Sequence, residues 1–386
     1  MAGLYLHIPF CKSRCIYCGF YSTVTLEMRE RYVDAMCHEI RLRKDYLSQI
    51  QGGHAMNGNV LSTIYLGGGT PSQLTQTQLL KIFATIADVF FNGNQDLIKK
   101  NCEVTIECNP DDVNESFAKF IGRTPVNRVS MGVQSFSDER LTFLHRRHHV
   151  REVYNATYLL RQEGIKNISI DLIFGFPNET LSEWKNDIDK AIQLDIQHIS
   201  AYSLMYEKGT PLYKMLESKE VDEVDEELSL SMYQELVKEL KQAGYEHYEI
   251  SNFAKTGFRS QHNSSYWQGI PYLGVGTSAH SYNIESRQWN ISNITKYIRA
   301  IEKNEIPFEI EILDENTRYN DTITTVLRTC DGINLSSISP KYRSYLLGQA
   351  QKAISQNLLE IQDNHIRLTE RGIFVSDDVM SDLIFV

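Results

Sequence analysis

The sequence predicts an α/β fold, a partial (β/α) barrel of the TIM type followed by a C-terminal winged-helix-like α+β domain. Between residues 3 and 205, short apolar runs alternate with helix-like segments, which indicates βαβ units and a parallel sheet. The run ISIDLIFGF at 168–176 is apolar nearly throughout, as expected of a strand that is covered on both faces. After about residue 315 the pattern changes to two helices, a hairpin and a helix.

The barrel elements follow in chain order. The predicted strands are Leu4–Ile8, Thr63–Leu66, Glu103–Cys108, Arg128–Val133, Asn167–Phe174 and His198–Leu204. The predicted helices between them are Leu26–Leu47, Gln73–Phe90, Asp138–Leu144, Val150–Gln162 and Ser182–Leu194. Polar or glycine-rich residues follow nearly every strand, and the C-terminal strand ends carry the chemistry in barrels of this kind. We therefore expect these residues to meet at one mouth.

The second half of the chain predicts an amphipathic helix over 221–243 with an acidic start, which favours the helix dipole. Helices near 317–329 and 342–357 precede a hairpin that turns at Asp363–Asn364, and a last helix covers 371–384. We expect three parts, namely the barrel core (1–220), an extension that completes one side of the barrel and the substrate region (221–314), and the C-terminal domain (315–386).

Composition narrows the function. The chain has 386 residues, of which 42% are hydrophobic and 23% charged, with a net charge of −10. An acidic protein repels phosphate backbones, so we expect no nucleic-acid partner. No apolar run reaches the ~20 residues that span a bilayer. The N-terminus MAGLYLHIPFC lacks the basic and long apolar regions of a secretory signal, so the expected location is the cytoplasm.

Three of the seven cysteines lie within eight residues. Cys11, Cys15 and Cys18 have the spacing C-x3-C-x2-C on a loop after the first strand. Thiolates select iron–sulfur clusters, zinc or copper(I), and structural zinc usually needs a second cysteine pair that this sequence lacks. A [4Fe–4S] cluster on three protein ligands leaves one iron open. The alternative is a chance clustering. The other four (Cys37, Cys102, Cys108, Cys330) are expected to be small buried hydrophobes.

The cysteine spacing resembles the signature of the radical S-adenosylmethionine (SAM) superfamily, in which SAM binds the open iron. The run GGGTP at 67–71 resembles the superfamily's site for the methionine amino group. The resemblance extends over nearly the whole chain to the coproporphyrinogen III dehydrogenase-like branch of the superfamily. It is carried by the segments YLHIPFC (5–11), GGGTP (67–71), IECNPD (106–111), SMGVQSF (130–136) and IDLIFGFP (170–177).

The resemblance implies a SAM pocket formed by residues that are far apart in the sequence. These residues are Tyr5, Tyr17, Gly69, Thr70, Glu107, Gln134, Arg146 and Asp171. Structural alternatives stay open for several of them. Glu107 and Asp171 end apolar strands and could belong to a structural ion-pair network. Arg146 could be a solvated helix residue, and Tyr5 could be an ordinary strand aromatic.

The branch contains an oxygen-independent coproporphyrinogen III dehydrogenase and a haem chaperone. Phe20 occupies the position of a further cysteine of the dehydrogenase. Only ten residues precede Cys11, whereas the dehydrogenase has a sizeable extension there. The segment HNSSYW at 262–267 resembles the chaperone's HNxxYW motif, and all three features favour the chaperone. The implied partners are haem or porphyrin and haem-dependent acceptor proteins such as respiratory enzymes, with peripheral membrane association through the acceptor. The alternatives are the dehydrogenase and a radical enzyme acting on another substrate.

His262 is the first candidate for a haem contact, because histidine ligates haem iron axially. A satisfied core histidine is the competing interpretation. Other histidines also remain candidate ligands, namely His7, His148, His149 and His280. The C-terminal 315–386 has seven basic and nine acidic side chains, which argues against DNA binding and favours a lid or scaffold over the barrel mouth.

Overall fold

The computed structural model describes residues 2–47 and 61–386. A large mixed sheet runs through most of the chain, and its central six strands are parallel neighbours in sequence order. These strands are β1 (Ala2–Ile8), β2 (Leu61–Gly68), β3 (Glu103–Cys108), β4 (Arg128–Gln134), β5 (Asn167–Phe174) and β6 (His198–Ser203). All six predicted strands are present, each within a few residues of its expected bounds.

Helices cover the outer face of this sheet. They are α1 (Arg29–Leu42), α2 (Gln76–Phe90), α3 (Gln95–Asn101), α4 (Glu115–Gly122), α5 (Asp138–Phe143), α6 (Val150–Gln162), α7 (Leu181–Gln193), α8 (Pro211–Glu217) and α9 (Glu226–Gln242). The buried faces of α1, α2 and α7 pack on the sheet in one apolar core. Trp184 of α7 is fully buried there, and its indole N–H donates to Met232 O (2.9 Å). The acidic start predicted for the last of these helices lies partly outside it, because Asp225 is the N-cap.

Short strands extend both edges of the parallel sheet. The added elements are β7 (Glu246–Glu249), β8 (Asn252–Ala254), α10 (Gln261–Trp267), β9 (Tyr272–Val275), β10 (His280–Tyr282), β11 (Ser286–Asn290), α11 (Ile294–Ile301) and β12 (Phe308–Ile312). β8 and β7 follow β6 at one edge, whereas β9 pairs in parallel with β1 at the other and leads to β10–β12. Within the described residues the strand order is linear from β12 to β7, so the barrel is partial.

The C-terminal residues form a second, smaller core. Its elements are α12 (Glu315–Val326), β13 (Ile333–Asn334), α13 (Pro340–Ser355), β14 (Leu359–Gln362), β15 (His365–Leu368), α14 (Glu370–Phe374) and α15 (Ser376–Leu383). The three strands pair antiparallel in the order β13-β15-β14, and the β14–β15 hairpin turns at Asp363 and Asn364 as predicted. The last predicted helix is two helices, because the chain leaves helical geometry at Val375.

The C-terminal domain packs against β7, the turn that follows it and α10. Ile250 N donates to Arg328 O (3.1 Å), Cys330 N donates to Tyr248 O (3.0 Å), and the Arg328 guanidinium lies over the Trp267 ring of α10. No helix in the described ranges is long and apolar enough to cross a membrane.

Candidate functional site

The cysteine loop is held by backbone hydrogen bonds on both sides. Cys11 N donates to Thr23 O (2.9 Å) and Thr23 N donates to Pro9 O (2.7 Å), which closes the loop at its base. Ile16 is buried in a small apolar cluster with Leu144 and Leu212, and its backbone is bonded to both. An apolar anchor between Cys15 and Tyr17 therefore fixes the loop from below, while its cysteines face the cavity.

A cavity of about 590 Å³ opens beside this loop at the C-terminal ends of the parallel strands. The structure brings together ten of the twelve predicted site residues on its wall. They are Cys11, Cys15, Tyr17, Cys18, Gly69, Thr70, Glu107, Gln134, Arg146 and Asp171. The convergence predicted from the strand ends is therefore observed, although these residues are separated by up to 160 positions in sequence.

Hydrogen-bond donors point at the cysteine sulfurs. Thr70 Oγ1 donates to Cys11 Sγ (3.4 Å), and Arg146 Nη1 donates to Cys15 Sγ (3.5 Å). Burial raises the pKa of the Cys11 and Cys18 thiols, and the Thr70 hydroxyl opposes that rise at Cys11. Donors of this kind stabilise the thiolate form that a metal cluster needs.

Glycine residues at the end of β2 allow the backbone to approach the cysteine loop closely. A Cβ on Gly69 would lie 3.0 Å from Cys11 Sγ and 2.8 Å from the Pro9 carbonyl carbon. Gly68 has φ +108°, a conformation that favours glycine. Gln134 also has a positive φ, +69°, at an irregularity between β4 and β5. Unusual backbone conformations are common at ligand sites, so the conformations of Gly68 and Gln134 are consistent with a binding site here.

Two carboxyl groups face the cavity from β3 and β5. Glu107 accepts hydrogen bonds from Tyr65 Oη (2.8 Å) and Gly68 N (3.1 Å). Burial raises the pKa of Glu107 to about 7, with the Asp171 charge as a further cause, and burial raises the pKa of Asp171 to about 6. Neither carboxylate forms an ion pair with a described residue, so the structural ion-pair alternative is not what the structure shows.

Arg146 lies in the turn after α5 and is fully part of the site. Its Nη2 donates to Asn109 Oδ1 (2.6 Å) and to Gly132 O (2.6 Å), and its Nη1 reaches Cys15. Arg146 is therefore not a solvated helix residue. Its neighbour Arg147 forms ion pairs with Asp111 (2.8 Å) and Asp112 (3.1 Å).

Two predicted residues lie off the cavity wall. Tyr5 is the cross-strand neighbour of Tyr65, and its hydroxyl is bonded to His7 Nδ1 (3.1 Å). His262 is 2% exposed, with Nδ1 bonded to Thr63 Oγ1 (2.8 Å) and Nε2 to Tyr266 Oη (2.8 Å). Both ring nitrogens of His262 therefore have protein partners, and burial lowers its pKa to about 3. These contacts fit the core-histidine interpretation.

The remaining histidine candidates divide by exposure. His7 is buried with both nitrogens bonded, and His148 is buried with Nε2 on Val133 O (3.1 Å). His149 and His280 are exposed, and His280 stacks on Trp289. The C-terminal domain was expected to be a lid or a scaffold over the barrel mouth. No residue beyond Asn263 lines the cavity in the described part of the chain, so the structure gives no support to the lid, whereas the scaffold stays a prediction.

The cavity wall includes residues that the sequence reasoning did not single out, among them Tyr65, Arg128 and Asn263. Tyr65 lies inside β2 and Arg128 is the first residue of β4, both away from the C-terminal strand ends. Asn263 is the second residue of the HNSSYW segment, in which His262 was the candidate. Polar residues at every second position of β4 are the signal that could have found Arg128.

The donor set fits an iron–sulfur cluster better than a single ion. Within the described residues, no three His, Cys, Asp or Glu side chains converge tightly enough to hold one metal ion. A cluster separates its thiolates more widely than one zinc does, because the irons lie between them. The cysteine loop, its donors and the adjoining free volume fit a cluster together with a small organic cofactor.

Comparisons with known proteins agree with this geometry. The radical SAM superfamily profile matches residues 5–191, and the HemN C-terminal domain profile matches 313–375. The solved structure of coproporphyrinogen III oxidase (HemN) from Escherichia coli, described as a radical SAM enzyme, superposes with a TM-score of 0.82 at 20% identity, covering 99% of this chain and 90% of that one. This likeness shows the fold.

Curated relatives match over nearly their full length. The heme chaperone HemW of Bacillus subtilis is 31% identical over 98% of both chains, and that of Lactococcus lactis is 30% identical over 97% of this chain and 95% of the relative. A mitochondrial radical S-adenosyl methionine domain-containing protein 1 of Bos taurus is 28% identical over 99% of this chain and 87% of its own. The chain therefore belongs to the HemW family of the radical SAM superfamily.

Proposed function

We propose that this chain binds haem and transfers it to haem-dependent acceptor proteins, and that it carries a [4Fe–4S] cluster and SAM. One observation carries the proposal. Three thiols on one anchored loop face a cavity whose wall gathers the strand-end residues of five strands, in a chain about 30% identical along its length to proteins named as haem chaperones.

Cys11, Cys15 and Cys18 would hold the cluster, whose fourth iron supplies an open coordination site for SAM. Thr70 and Arg146 keep two of the thiols in hydrogen bonds that favour the ionised sulfur. The backbone at Gly69 leaves room beside Cys11.

The carboxylates of Glu107 and Asp171 both face the cavity, where they would accept hydrogen bonds from the hydroxyl groups of a ribose. Gln134 supplies both a donor and an acceptor on the same wall. Asn109 and the Gly132 carbonyl hold the Arg146 guanidinium in place, so its charge is fixed near the cysteines.

Haem is proposed as cargo, with its ligand other than His262. Phe20 is 71% exposed and Met205 61% exposed at the cavity mouth. Large exposed apolar side chains at a cavity rim are typical of binding surfaces, and these two would contact a flat apolar ring as it enters the cavity. We propose that acceptors include respiratory enzymes and that any membrane association runs through the acceptor.

The competing activity is oxidative decarboxylation of coproporphyrinogen III, and one preparation tests both. The cluster is reconstituted anaerobically on the full chain, and haem binding and coproporphyrinogen III conversion are measured on the same sample. We expect stoichiometric haem binding and no decarboxylation. Turnover to protoporphyrinogen, or no haem binding, would refute the proposal.

The ligand assignment has its own test. Cys15→Ser should lose the cluster's absorption and most of its iron, because a thiolate ligand is removed. Cys330→Ser is the matched control, since Cys330 is an exposed thiol that does not line the cavity. Equal iron content in both variants would remove Cys15 from the ligand set.

A further inference from the structure

The inner end of the cavity holds a buried arginine. Arg128, Ser130, Gly132 and Gln134 alternate along β4, and all four line the cavity. At about 3.3 Å per residue, the Cα of Arg128 lies about 20 Å along the strand from that of Gln134. Arg128 is 1% exposed, and its Nε has no hydrogen-bond partner. The cavity therefore runs from the cysteine loop down to a cationic floor.

Arg128 forms no ion pair within the described residues. Its charge opposes the rise in the pKa of Glu107 and Asp171, but neither carboxylate lies at ion-pair distance from it. Both oxygens of Glu107 already accept hydrogen bonds from Tyr65 and Gly68. An arginine cannot shed its proton, so a buried guanidinium without a partner is costly to the fold. The missing partner is therefore expected from outside the chain.

Other polar groups at this depth also lack partners. Thr105 lies opposite Arg128 in the β3–β4 register, and its buried hydroxyl has no hydrogen-bond partner. Asn263 of α10 lines the cavity, and its side-chain amide forms no hydrogen bond with the described residues, whereas its backbone N–H donates to Ser260 Oγ (3.4 Å). Glu103 holds this helix in place by accepting from Gln261 N (3.1 Å) and His262 N (3.0 Å). The HNSSYW segment thus contributes its asparagine to a rigid floor.

We propose that Arg128 and Asn263 form a carboxylate site at the floor of the barrel, which takes a propionate of the tetrapyrrole. The guanidinium fork and the amide N–H match a carboxylate, and burial makes such hydrogen bonds strong. Arg146 already provides a cation at the cysteine end for a cofactor carboxylate, so the floor serves a second acid. The anion site rests on the geometry alone, whereas the tetrapyrrole rests on the proposed function.

The test compares Arg128→Met with Arg371→Met in the anaerobically reconstituted full chain. Arg371 is an exposed residue of α14 that does not line the cavity, so its replacement gives the same change in net charge away from the site. Each protein is titrated with haem, with haem dimethyl ester and with SAM. We expect the wild type and R371M to bind haem at least tenfold more tightly than the ester. R128M should bind both equally, with SAM affinity within twofold of the wild type.

A second arm needs no haem. Sodium propionate, compared with sodium chloride at equal ionic strength, should raise the Tm of the wild-type apoprotein but not that of R128M. R128M alone should unfold at the same Tm as the wild type or higher, because it removes an uncompensated charge.

Each outcome of these measurements supports or contradicts the proposed carboxylate site. Equal wild-type affinities for haem and its ester would overturn the floor site. A selective loss of SAM affinity in R128M would assign the carboxylate to methionine instead. A lower Tm for R128M would make Arg128 structural. Absent haem binding with a persistent propionate effect would refute the proposed function and leave the anion site standing.

Discussion

Replacing Gly69 with alanine is expected to displace the cysteine loop and to abolish cluster binding. The added Cβ would lie 2.8 Å from the Pro9 carbonyl carbon, 2.9 Å from Ile8 O and 3.0 Å from Cys11 Sγ. Carbon atoms pack best at about 3.5–4.0 Å, so the loop must move by roughly 0.7 Å. Two of the three obstacles are backbone at the end of β1, which cannot rotate away.

The displacement matters more for the cluster than for the fold. Overpacking of this kind lowers the free energy of unfolding by about 1–3 kcal/mol, which a chain of this size usually survives. Ligand distances in a metal site are held to about ±0.2 Å, several times less than the required shift. We therefore expect a folded protein with little bound iron.

The assay is iron and sulfide per chain after anaerobic reconstitution, with urea unfolding of the apoprotein alongside. Gly348→Ala is the control, because Gly348 lies inside α13 and a Cβ there meets nothing within 4 Å. That variant should bind the normal amount of iron and gain about 0.5–1 kcal/mol from helix propensity. Full iron content in Gly69→Ala would refute the steric argument.

Three further predictions follow from the same cavity and its surroundings. Burial holds the pKa of Glu107 near 7, so the wild-type apoprotein loses stability as pH rises from about 4.5 through 7. Glu107→Gln should therefore gain about 2 kcal/mol over the wild type between pH 5 and pH 8 in urea unfolding; a pH-independent difference would contradict this. His262→Ala should lose about 2–4 kcal/mol, because it empties a buried site and strands Thr63 and Tyr266. His262→Gln should recover part of that loss, with haem affinity within twofold of the wild type in both variants; a large fall in haem affinity in the stable Gln variant would restore His262 as a haem contact. Thr70→Val removes the hydroxyl that donates to Cys11 Sγ, so the cluster's midpoint potential should fall in an anaerobic redox titration, and an unchanged potential would show that the bond is absent in the holoprotein.

The sequence predicts best the elements that bury the most apolar surface. The strands β1–β6 are apolar runs covered by helices on one side, so the alternation of strands and helices can be predicted from the sequence. The added strands β7–β12 are three to five residues long, and β12 exposes Phe308, Ile310 and Ile312 to solvent. β9 pairs with β1, which lies more than two hundred residues away in sequence, and no local pattern encodes that contact.

Some site residues can likewise be predicted from the sequence and others cannot. Residues at strand ends, such as Glu107 and Asp171, can be predicted because each is a charged residue at the end of an apolar run. Tyr5 has the same motif context but faces Tyr65 and His262 rings, which only the cross-strand register determines. Arg128 opens its strand, where a charged residue reads as a boundary rather than as the floor of a cavity.

The polarity of β4 argues for a ligand deeper than the cofactor. A TIM-type interior that serves only stability is filled by layers of branched apolar side chains. Here β4 turns Arg128, Ser130, Gly132 and Gln134 inward, while Val129, Met131 and Val133 take the apolar core on its other face. Unpaired groups at Arg128 and Thr105 reduce stability in the empty chain, and a protein keeps such a cost where a ligand removes it. Arg146 bonds to the Gly132 carbonyl, four residues along β4 from Arg128, so the two arginines reach the cavity at different depths. Two separated cations of this kind fit the proposal that the cavity takes two acids, one on the cofactor and one on the cargo.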